Sequence, residues 1–312
     1  MMAEAAAGQA APRRRRAAWR TGSGTAAKIS GGVLLLVIVI AVFAPYIAPH
    51  PPNIGELSQI LLPPAWMKGG SWSHVLGTDS LGRDELSRLI YGARISLLVG
   101  LVATLIAGLV GVPLGLLSGY LGGVADSIIV GFVNIMTAFP FLLLALLVAA
   151  VTGPGLKNVL LILGLTGWPI YTRVIRSVVL ELRERPFVSN ARVLGLSHWR
   201  IMTRHVMPGI WPTFLVISSL QVGYMILAEA FLSYLGLGVP EPTATWGGML
   251  SDGSQYIFSQ WWLTAFPGLA ILIVVLSVNV LSDSLRDLTG QAGPRKAADD
   301  AVSAAVLNTY AN

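Results

Sequence analysis

Six long apolar runs constrain this chain more than any other feature of its sequence. Each has about 20 residues or more with almost no charged side chain, enough to cross a bilayer as a helix at about 1.5 Å per residue. Lipid offers no partner to unpaired backbone groups, and strand-type alternation is absent, so we expect helices. The predicted spans cover residues 29–48, 95–120, 127–151, 159–179, 211–235 and 262–281.

Composition agrees with these spans. Charged side chains make up only 12% of the 312 residues, about half of their share in a soluble domain. This favours an all-α polytopic membrane protein over two soluble domains. The chain has no cysteine, which excludes disulfides, cysteine-ligated zinc, iron–sulfur clusters and thiol catalysis.

The N-terminal region joins a basic cluster to an apolar run. Arginines at 13–16, Arg20 and Lys28 precede the uncharged residues 29–48. A signal peptide is the alternative, but its apolar region is about 7–15 residues long, so we predict a retained first helix. The basic cluster ends where the apolar run begins, which argues against nucleic-acid binding. Residues 1–28, rich in alanine and glycine at their start, are predicted to be a disordered cytoplasmic tail.

The distribution of lysine and arginine predicts the orientation. With the N-terminus in the cytoplasm, sixteen of the 21 Lys and Arg residues lie inside and five outside, as the positive-inside rule requires. Six spans then place both termini in the cytoplasm. The predicted parts are a tail (1–28), a first helix (29–48), an extracytoplasmic loop (49–93), a core (94–288) that includes a cytoplasmic loop (181–209) and an extracytoplasmic loop (236–261), and a C-terminal tail (289–312).

The two predicted extracytoplasmic loops are long for connections within a compact protein. Loops of such length are usually functional, so a lid or a binding surface for an outside partner suits both. Packing over the ends of the helices is the alternative.

A basic segment, residues 185–208, separates the fourth and fifth predicted spans and opens with a helix. Pro186 suits the first turn of a helix, where its missing N–H is not needed. Phe187, Ala191 and Leu194 have the spacing of one helical face.

A second short helix follows a turn at Gly195. This glycine stands where the end of a helix often needs a left-handed residue, and Ser197 is placed to cap the next helix. Pro208 is predicted to end that helix. Binding of the segment to anionic lipid is the alternative to a partner-docking role, because its predicted exposed side chains include Arg192, Arg200 and Arg204.

This segment resembles the cytoplasmic EAA loop of binding-protein-dependent ABC importer permeases. Ala191 and Gly195 match the family's pattern of Glu-Ala-Ala, three residues and Gly, with Pro208 downstream. Ser189 and Asn190 replace its first two positions, so the acidic residue is missing. The resemblance implies an ATPase-coupling loop made by Ser189, Asn190, Ala191, Arg192, Gly195, Leu196, Ser197, Arg200, His205 and Pro208.

Other motifs resemble the dipeptide/oligopeptide/nickel subfamily of these permeases. They lie at 76–94, 138–140, 232–238, 246–253 and 281–287. The long outside loop after the first span resembles the C-type subunit of the permease pair. The resemblance implies an extracytoplasmic signature made by Gly77, Thr78, Asp79, Gly82, Arg83, Asp84, Arg88 and Arg94.

The resemblance implies a type I ABC importer permease fold and a set of partners. These are a homologous permease subunit forming a heterodimer, one or two cytoplasmic ATPases that hold ATP and magnesium, and an extracytoplasmic solute-binding protein. The chain itself lacks a phosphate-binding Gly-x-x-x-x-Gly-Lys-Ser/Thr motif and any evident catalytic set. We therefore expect no enzyme activity, bound cofactor or metal, and we expect solvated loop positions for His50, His74, His198 and His205.

Polar side chains within the spans are candidates for the translocation path, because they are costly to expose to lipid. The alternative for the ionisable one, Glu229, is a structural contact with a neighbouring helix or loop. The candidates are Asn134, Thr137, Gln221, Glu229 and Asn279.

The substrate class and the function class each have alternatives. Peptides are favoured over nickel or another small solute, because cysteine is absent and no histidine lies within a predicted span. A membrane scaffold with a lipid-binding loop is an alternative of another class. A self-contained ion-coupled transporter would usually need more charged groups at mid-membrane.

Overall fold

The computed structural model describes residues 13–288, with side chains for 25–287. In this part of the chain every regular element is helical. A short 3₁₀ helix covers Leu57–Gln59, and one turn of π-helix covers Met202–Val206. The α-helices are α1 (Arg13–Val42), α2 (Ala44–Ile47), α3 (Glu85–Leu121), α4 (Gly123–Ala138), α5 (Phe141–Thr152), α6 (Leu156–Arg183), α7 (Pro186–Val193), α8 (His198–Ile201), α9 (Met207–Tyr234), α10 (Trp246–Ser254) and α11 (Trp262–Leu288).

The helices provide the expected number of spans. Within the described residues, five helices or continuous helical segments are long and apolar enough to cross a membrane, and α4 with α5 makes a sixth if the bent pair counts as one span. The all-α membrane class predicted from the apolar runs is confirmed.

The third predicted span is not one straight helix, and that part of the prediction is wrong. Residues 127–151 fall on α4 and α5, which meet at an angle of 85°. Pro140 has no N–H to donate and disfavours helical geometry in the residue before it. Phe139 accordingly takes an extended conformation, with ψ of 129°.

The N-terminal tail also differs from the prediction. Residues 1–12 lie outside the described part of the chain, but residues 13–28, predicted to be disordered, are helical and continuous with the first span. Alanine and arginine are strong helix formers, and an adjoining span removes the cost of nucleating the helix.

A stripe of glycines brings α3 into backbone contact with α6. A Cβ added to Gly111, Gly115 or Gly119 would lie 2.5, 2.8 and 2.9 Å from a carbonyl oxygen of α6, so no larger residue fits without movement. Small residues let helix backbones approach closely in a membrane. The three α6 carbonyls, spaced by one helical turn, belong to Trp168, Thr172 and Arg176.

The bundle has two functional ends. Residues 49–84 and 236–261 lie at one end, called here the signature end, and residues 184–206 lie at the other, the loop end. A buried apolar cluster at the loop end joins α3, α6 and the start of α9 to α7 and α8. A second cluster joins α1, α3, α9, α10 and α11 towards the signature end.

Candidate functional site

The basic segment folds as two short helices with the predicted turn between them. Gly195 has a φ of 74°, and the N–H of Leu196 donates to the carbonyl of Ala191 at 3.2 Å. The Ser197 hydroxyl accepts from the N–H of Arg200 at 3.4 Å and caps α8. Both the glycine turn and the serine cap are as predicted.

Two other predictions about this segment are wrong. The buried face of α7 carries Val188 and Ala191, whereas Phe187 is 45% exposed and Leu194 is 78% exposed. In this two-turn helix the buried side chains, Val188 and Ala191, are three residues apart. The face that packs on the core therefore differs from the predicted one. Pro208 does not end the second helix, because it occupies the first turn of α9, where its missing N–H costs little.

The segment rests on the core through Tyr120, at the end of α3. The Tyr120 hydroxyl and His198 Nδ1 are 3.2 Å apart. The guanidinium of Arg192 lies over the Tyr120 ring, 5.6 Å from its centroid, within the range of a cation–π contact. One buried aromatic ring therefore touches both short helices of the segment, and it could not be recognised from the sequence.

One ion pair and one hydrogen bond connect α6 to the turn between α3 and α4, beside the segment. Arg176 of α6 donates from Nε and Nη2 to the two carboxylate oxygens of Asp126, each at 2.6 Å. Arg183 donates from Nη1 to the carbonyl of Gly119 at 3.1 Å. The paired hydrogen bonds of the first contact give it a defined geometry, so α6 is fastened to the turn between α3 and α4.

The outer surface of the segment is apolar and basic. Val193 is 88% exposed and Trp199 is 70% exposed, next to the exposed Arg192 and Arg200. Contiguous exposed apolar side chains commonly mark an interaction site. Of the remaining predicted loop residues, Ser189, Asn190 and Pro208 are exposed, and Leu196 and His205 are half-buried.

The signature end contains a buried network of charged side chains. Arg83 Nε donates to Asp79 Oδ2 at 2.6 Å, and Arg88 Nε lies 3.4 Å from the same oxygen. The side chains of Arg83 and Arg88 are only 4% and 2% exposed. Burial of two guanidinium groups is tolerated only with close counter-charges and hydrogen bonds.

Two carboxylates from the second loop complete this network. Asp252 lies in the motif at 246–253, whereas Glu241 was not singled out in the sequence. Glu241 Oε1 accepts from Arg83 Nη2 at 2.9 Å. Asp252 Oδ2 lies 3.6 Å from Arg83 Nη2 and 3.7 Å from Arg88 Nη2. The network therefore ties the loop at 236–261 to the start of α3.

The remaining signature residues are structural or lie apart. Asp84 caps α3 by accepting from the N–H of Ser87 at 2.8 Å, and the Thr78 hydroxyl accepts from the N–H of Leu62 at 2.9 Å. Arg94 is exposed and away from the network. Tight turns with φ of 86° and 73° occur at Gly77 and Gly82.

The network predicts a pH-dependent stability. Burial and the charge of Glu241 raise the pKa of Asp252 to about 6. A carboxyl whose pKa is raised on folding contributes stability below its unfolded pKa, and this stability is lost as the pH rises through its folded pKa. We therefore expect Asp252→Asn to raise the melting temperature at about pH 7.5 and to change it much less at about pH 4, as measured by thermal unfolding of the purified chain.

A matched control for this test is Asp283→Asn, at an exposed position near the C-terminal end of α11. It should not produce the same difference between the two pH values. An Asp252→Asn effect of equal size at both pH values would contradict the role given to this carboxyl.

Two candidate path residues converge on an arginine. Arg173 Nη2 of α6 donates to Thr137 Oγ1 at 2.8 Å and to Asn134 Oδ1 at 3.3 Å. All three side chains are exposed on this chain, and no carboxylate of the described residues forms an ion pair with Arg173. Arg173 was not singled out in the sequence because it lies in the half of α6 nearer the loop end, and arginines near the end of a span also serve to fix its orientation.

The other candidate path residues lie elsewhere. Glu229 is fully buried and accepts from Ser96 at 3.1 Å and from Ser233 at 2.7 Å, which is the contact expected of the structural alternative. Gln221 and Asn279 are half-buried in the packing of α9.

Comparison with known proteins places this architecture in a family. Residues 111–292 match the family of binding-protein-dependent transport system inner membrane components. Residues 15–64 match the N-terminal TM domain of oligopeptide transport permease C.

Individual relatives share most of their length with the chain. It is 46% identical over 254 residues to the dipeptide transport system permease protein DppC of Escherichia coli K12, covering 81% of this chain and 85% of that one. The di/tripeptide permease DppC of Pseudomonas aeruginosa UCBPP-PA14 is 42% identical over 259 residues, covering 82% and 86%. DppC of Bacillus subtilis 168 is 39% identical over 256 residues, covering 82% and 78%.

A solved structure shares the fold. The MetNI methionine ABC transporter in an inward-facing conformation aligns with a TM-score of 0.53 at 17% identity, covering 65% of this chain and 97% of that chain. The family match over residues 111–292 includes α4 to α11, the basic segment at 185–208 and the patch of Asn134, Thr137 and Arg173. The chain therefore belongs to the binding-protein-dependent transport system inner membrane component family, the membrane-spanning permease subunits of ABC importers.

Proposed function

We propose that this chain forms half of the pore of an ATP-driven importer of short peptides. The observation that carries this proposal is its 46% identity, over most of both chains, to a dipeptide permease. The other half of the pore is a homologous permease subunit, and an extracytoplasmic binding protein delivers the substrate. Both termini lie in the cytoplasm, as the distribution of lysine and arginine favours.

The loop at 185–208 is proposed to dock a cytoplasmic ATPase. Its exposed Trp199 and Val193 supply apolar contact, and Tyr120 holds it against the core through contacts with Arg192 and His198. One or two ATPases hold ATP and magnesium, so this chain binds neither and catalyses no reaction. Movement of the docked loop is transmitted to α6 and α9, and the two permease halves rock against each other.

The translocation path is proposed to pass the patch of Asn134, Thr137 and Arg173. Exposed polar side chains in a membrane helix face a partner or a water-filled path rather than lipid. A guanidinium held by two neutral acceptors keeps a net positive charge, which suits the carboxylate of a passing peptide.

The proposal is tested by uptake of labelled di- to pentapeptides and of nickel by cells that express the complete system. We expect peptide uptake that requires ATP, the binding protein and this chain. Nickel uptake alone would contradict the peptide assignment. Membrane insertion without any co-purifying ATPase would support the scaffold alternative.

The polar patch yields a further prediction. Arg173→Gln should lower peptide uptake about tenfold, the effect of losing a charged hydrogen bond of about 1.5 kcal/mol, while the amount of the chain in the membrane stays unchanged. Arg94→Gln, which alters another exposed arginine, is the control and should transport normally. Normal uptake by Arg173→Gln would remove this residue from the path.

A further inference from the structure

Two histidines and an aspartate converge at the signature end. His50 follows α2, His74 lies in the loop before α3, and Asp84 caps α3. One ligand atom from each lies within 4.8 Å of the others. His74 Nδ1 is 2.8 Å from Asp84 Oδ1, and His50 Nδ1 is 3.8 Å from the same oxygen. The His74 and Asp84 side chains are 9% and 0% exposed.

The hydrogen bonds around His74 leave its Nδ1 facing the Asp84 carboxylate without a proton between them. His74 Nε2 faces Gln59 Oε1, and the orientation of Gln59 is fixed because its Nε2 donates to Glu56 Oε2 at 2.7 Å. Nε2 of the ring must therefore carry a proton. A neutral imidazole has only one N–H, so its Nδ1 then directs a lone pair at the Asp84 carboxylate oxygen. Two such electron-rich atoms repel each other unless a cation lies between them.

His50 places a second ring nitrogen near the same carboxylate oxygen. Its Nδ1 is buried and has no hydrogen-bond partner among the described residues. An unpartnered buried polar atom is costly. The ring is nonetheless held against His74, with the ring centroids 4.5 Å apart. One nitrogen from each imidazole and a carboxylate oxygen therefore lie within 4.8 Å of one another.

We propose that His50 Nδ1, His74 Nδ1 and Asp84 Oδ1 bind a divalent transition-metal ion of the zinc type. Ligand atoms about 2.1 Å from a tetrahedral zinc ion are roughly 3.4 Å apart, and the two measured separations of 2.8 and 3.8 Å bracket this value. Imidazole and carboxylate ligands favour zinc, nickel or copper over calcium and magnesium.

The surroundings have the features of a metal site with one open position. Gln59 orients His74 from behind, as outer partners of metal-bound histidines do. The two oxygens of Asp84 have different partners. Oδ2 accepts from the N–H of Ser87 and caps the helix, and Oδ1 faces the histidines. His50 is 36% exposed, which leaves a path for entry of the ion and for a water ligand. Metal binding would tie the chain after α2 to the start of α3.

The test uses the tag-free, full-length chain in its purified complex, stripped with a chelator and dialysed against zinc. We expect about one zinc more per complex in the wild type than in His50→Ala, by elemental mass spectrometry. His205→Ala is the matched control, because His205 Nδ1 is also buried and unpartnered but lies at the loop end; it should retain the zinc. Equal zinc in the wild type and His50→Ala would overturn the proposal.

A second measurement tests the ligand geometry directly. Cobalt added to the stripped wild-type complex should give the intense visible absorption of a tetrahedral ion, and zinc should abolish it. His50→Gln, which keeps a polar side chain, should lack the band if His50→Ala fails to assemble. A weak octahedral spectrum, or no cobalt retention, would overturn the proposed metal site.

Discussion

Gly195→Val is expected to abolish most peptide uptake while leaving the chain in the membrane at its normal level. The φ of 74° at this position is costly for a β-branched residue, at about 1–3 kcal/mol. No heavy atom lies within 4 Å of an added Cβ, so the cost is confined to the backbone and does not come from a clash with the core.

The strain acts on the geometry of docking. The Gly195 turn sets the direction of α7 relative to α8, and a valine relieves its strain by leaving the left-handed region. An energy of about 1–3 kcal/mol lowers the population of the native turn by about 5- to 150-fold. The ATPase surface then no longer moves together with α6 and α9, so ATP hydrolysis continues without uptake.

A second glycine provides a matched control for this prediction. Gly153 ends α5 with a φ of 77° and also has nothing within 4 Å of an added Cβ. Gly153→Val thus carries the same backbone strain away from the loop and should reduce uptake much less. Uptake, ATPase activity and membrane abundance are measured together. Equal loss of uptake in both variants would assign the effect to general destabilisation.

Arg83→Met is expected to remove most of the folded chain from the membrane. It deletes a guanidinium that donates to Asp79 and Glu241. Asp79 then keeps its two backbone N–H donors, but its one remaining counter-charge is the more distant Arg88, at 3.4 Å. Loss of one partner from a buried ion pair costs about 3–5 kcal/mol. Such a loss lowers cellular abundance severalfold or more.

The control for this variant is Arg94→Met, which makes the same chemical change at an exposed arginine outside the network. Arg83→Lys should be intermediate, because lysine keeps the charge but cannot donate from a planar fork. Abundance is read by quantitative immunoblot of membranes, and stability by thermal unfolding of the purified chain. Normal abundance and melting temperature for Arg83→Met would contradict a structural role for the network.

The spans could be predicted because lipid imposes length and apolarity on every helix that crosses it. The break before Pro140 was harder to predict, since prolines such as Pro113 and Pro169 lie within unbroken helices of the same chain. Proline marks a possible break, and tertiary packing decides whether the helix continues.

The charged network shows a different limit. Asp79, Arg83 and Arg88 form one recognisable motif, but Glu241 lies 158 residues after Arg83 in a loop without helical periodicity. Glu241 reaches Arg83 because α9 and α10 pack against α3. No local sequence pattern predicts that packing. Tyr120 escaped prediction for the same reason, because its partner His198 is 78 residues away.

The glycine stripe between α3 and α6 restricts the relative motion of these two helices. Backbones that touch at three successive turns cannot slide, because a shift of about one residue, roughly 1.5 Å, would bring side chains into the carbonyls that now face glycine. The two helices therefore move together as one rigid body. Probes on its two helices should keep a constant spacing through the transport cycle, while the hinges lie in the connections on either side.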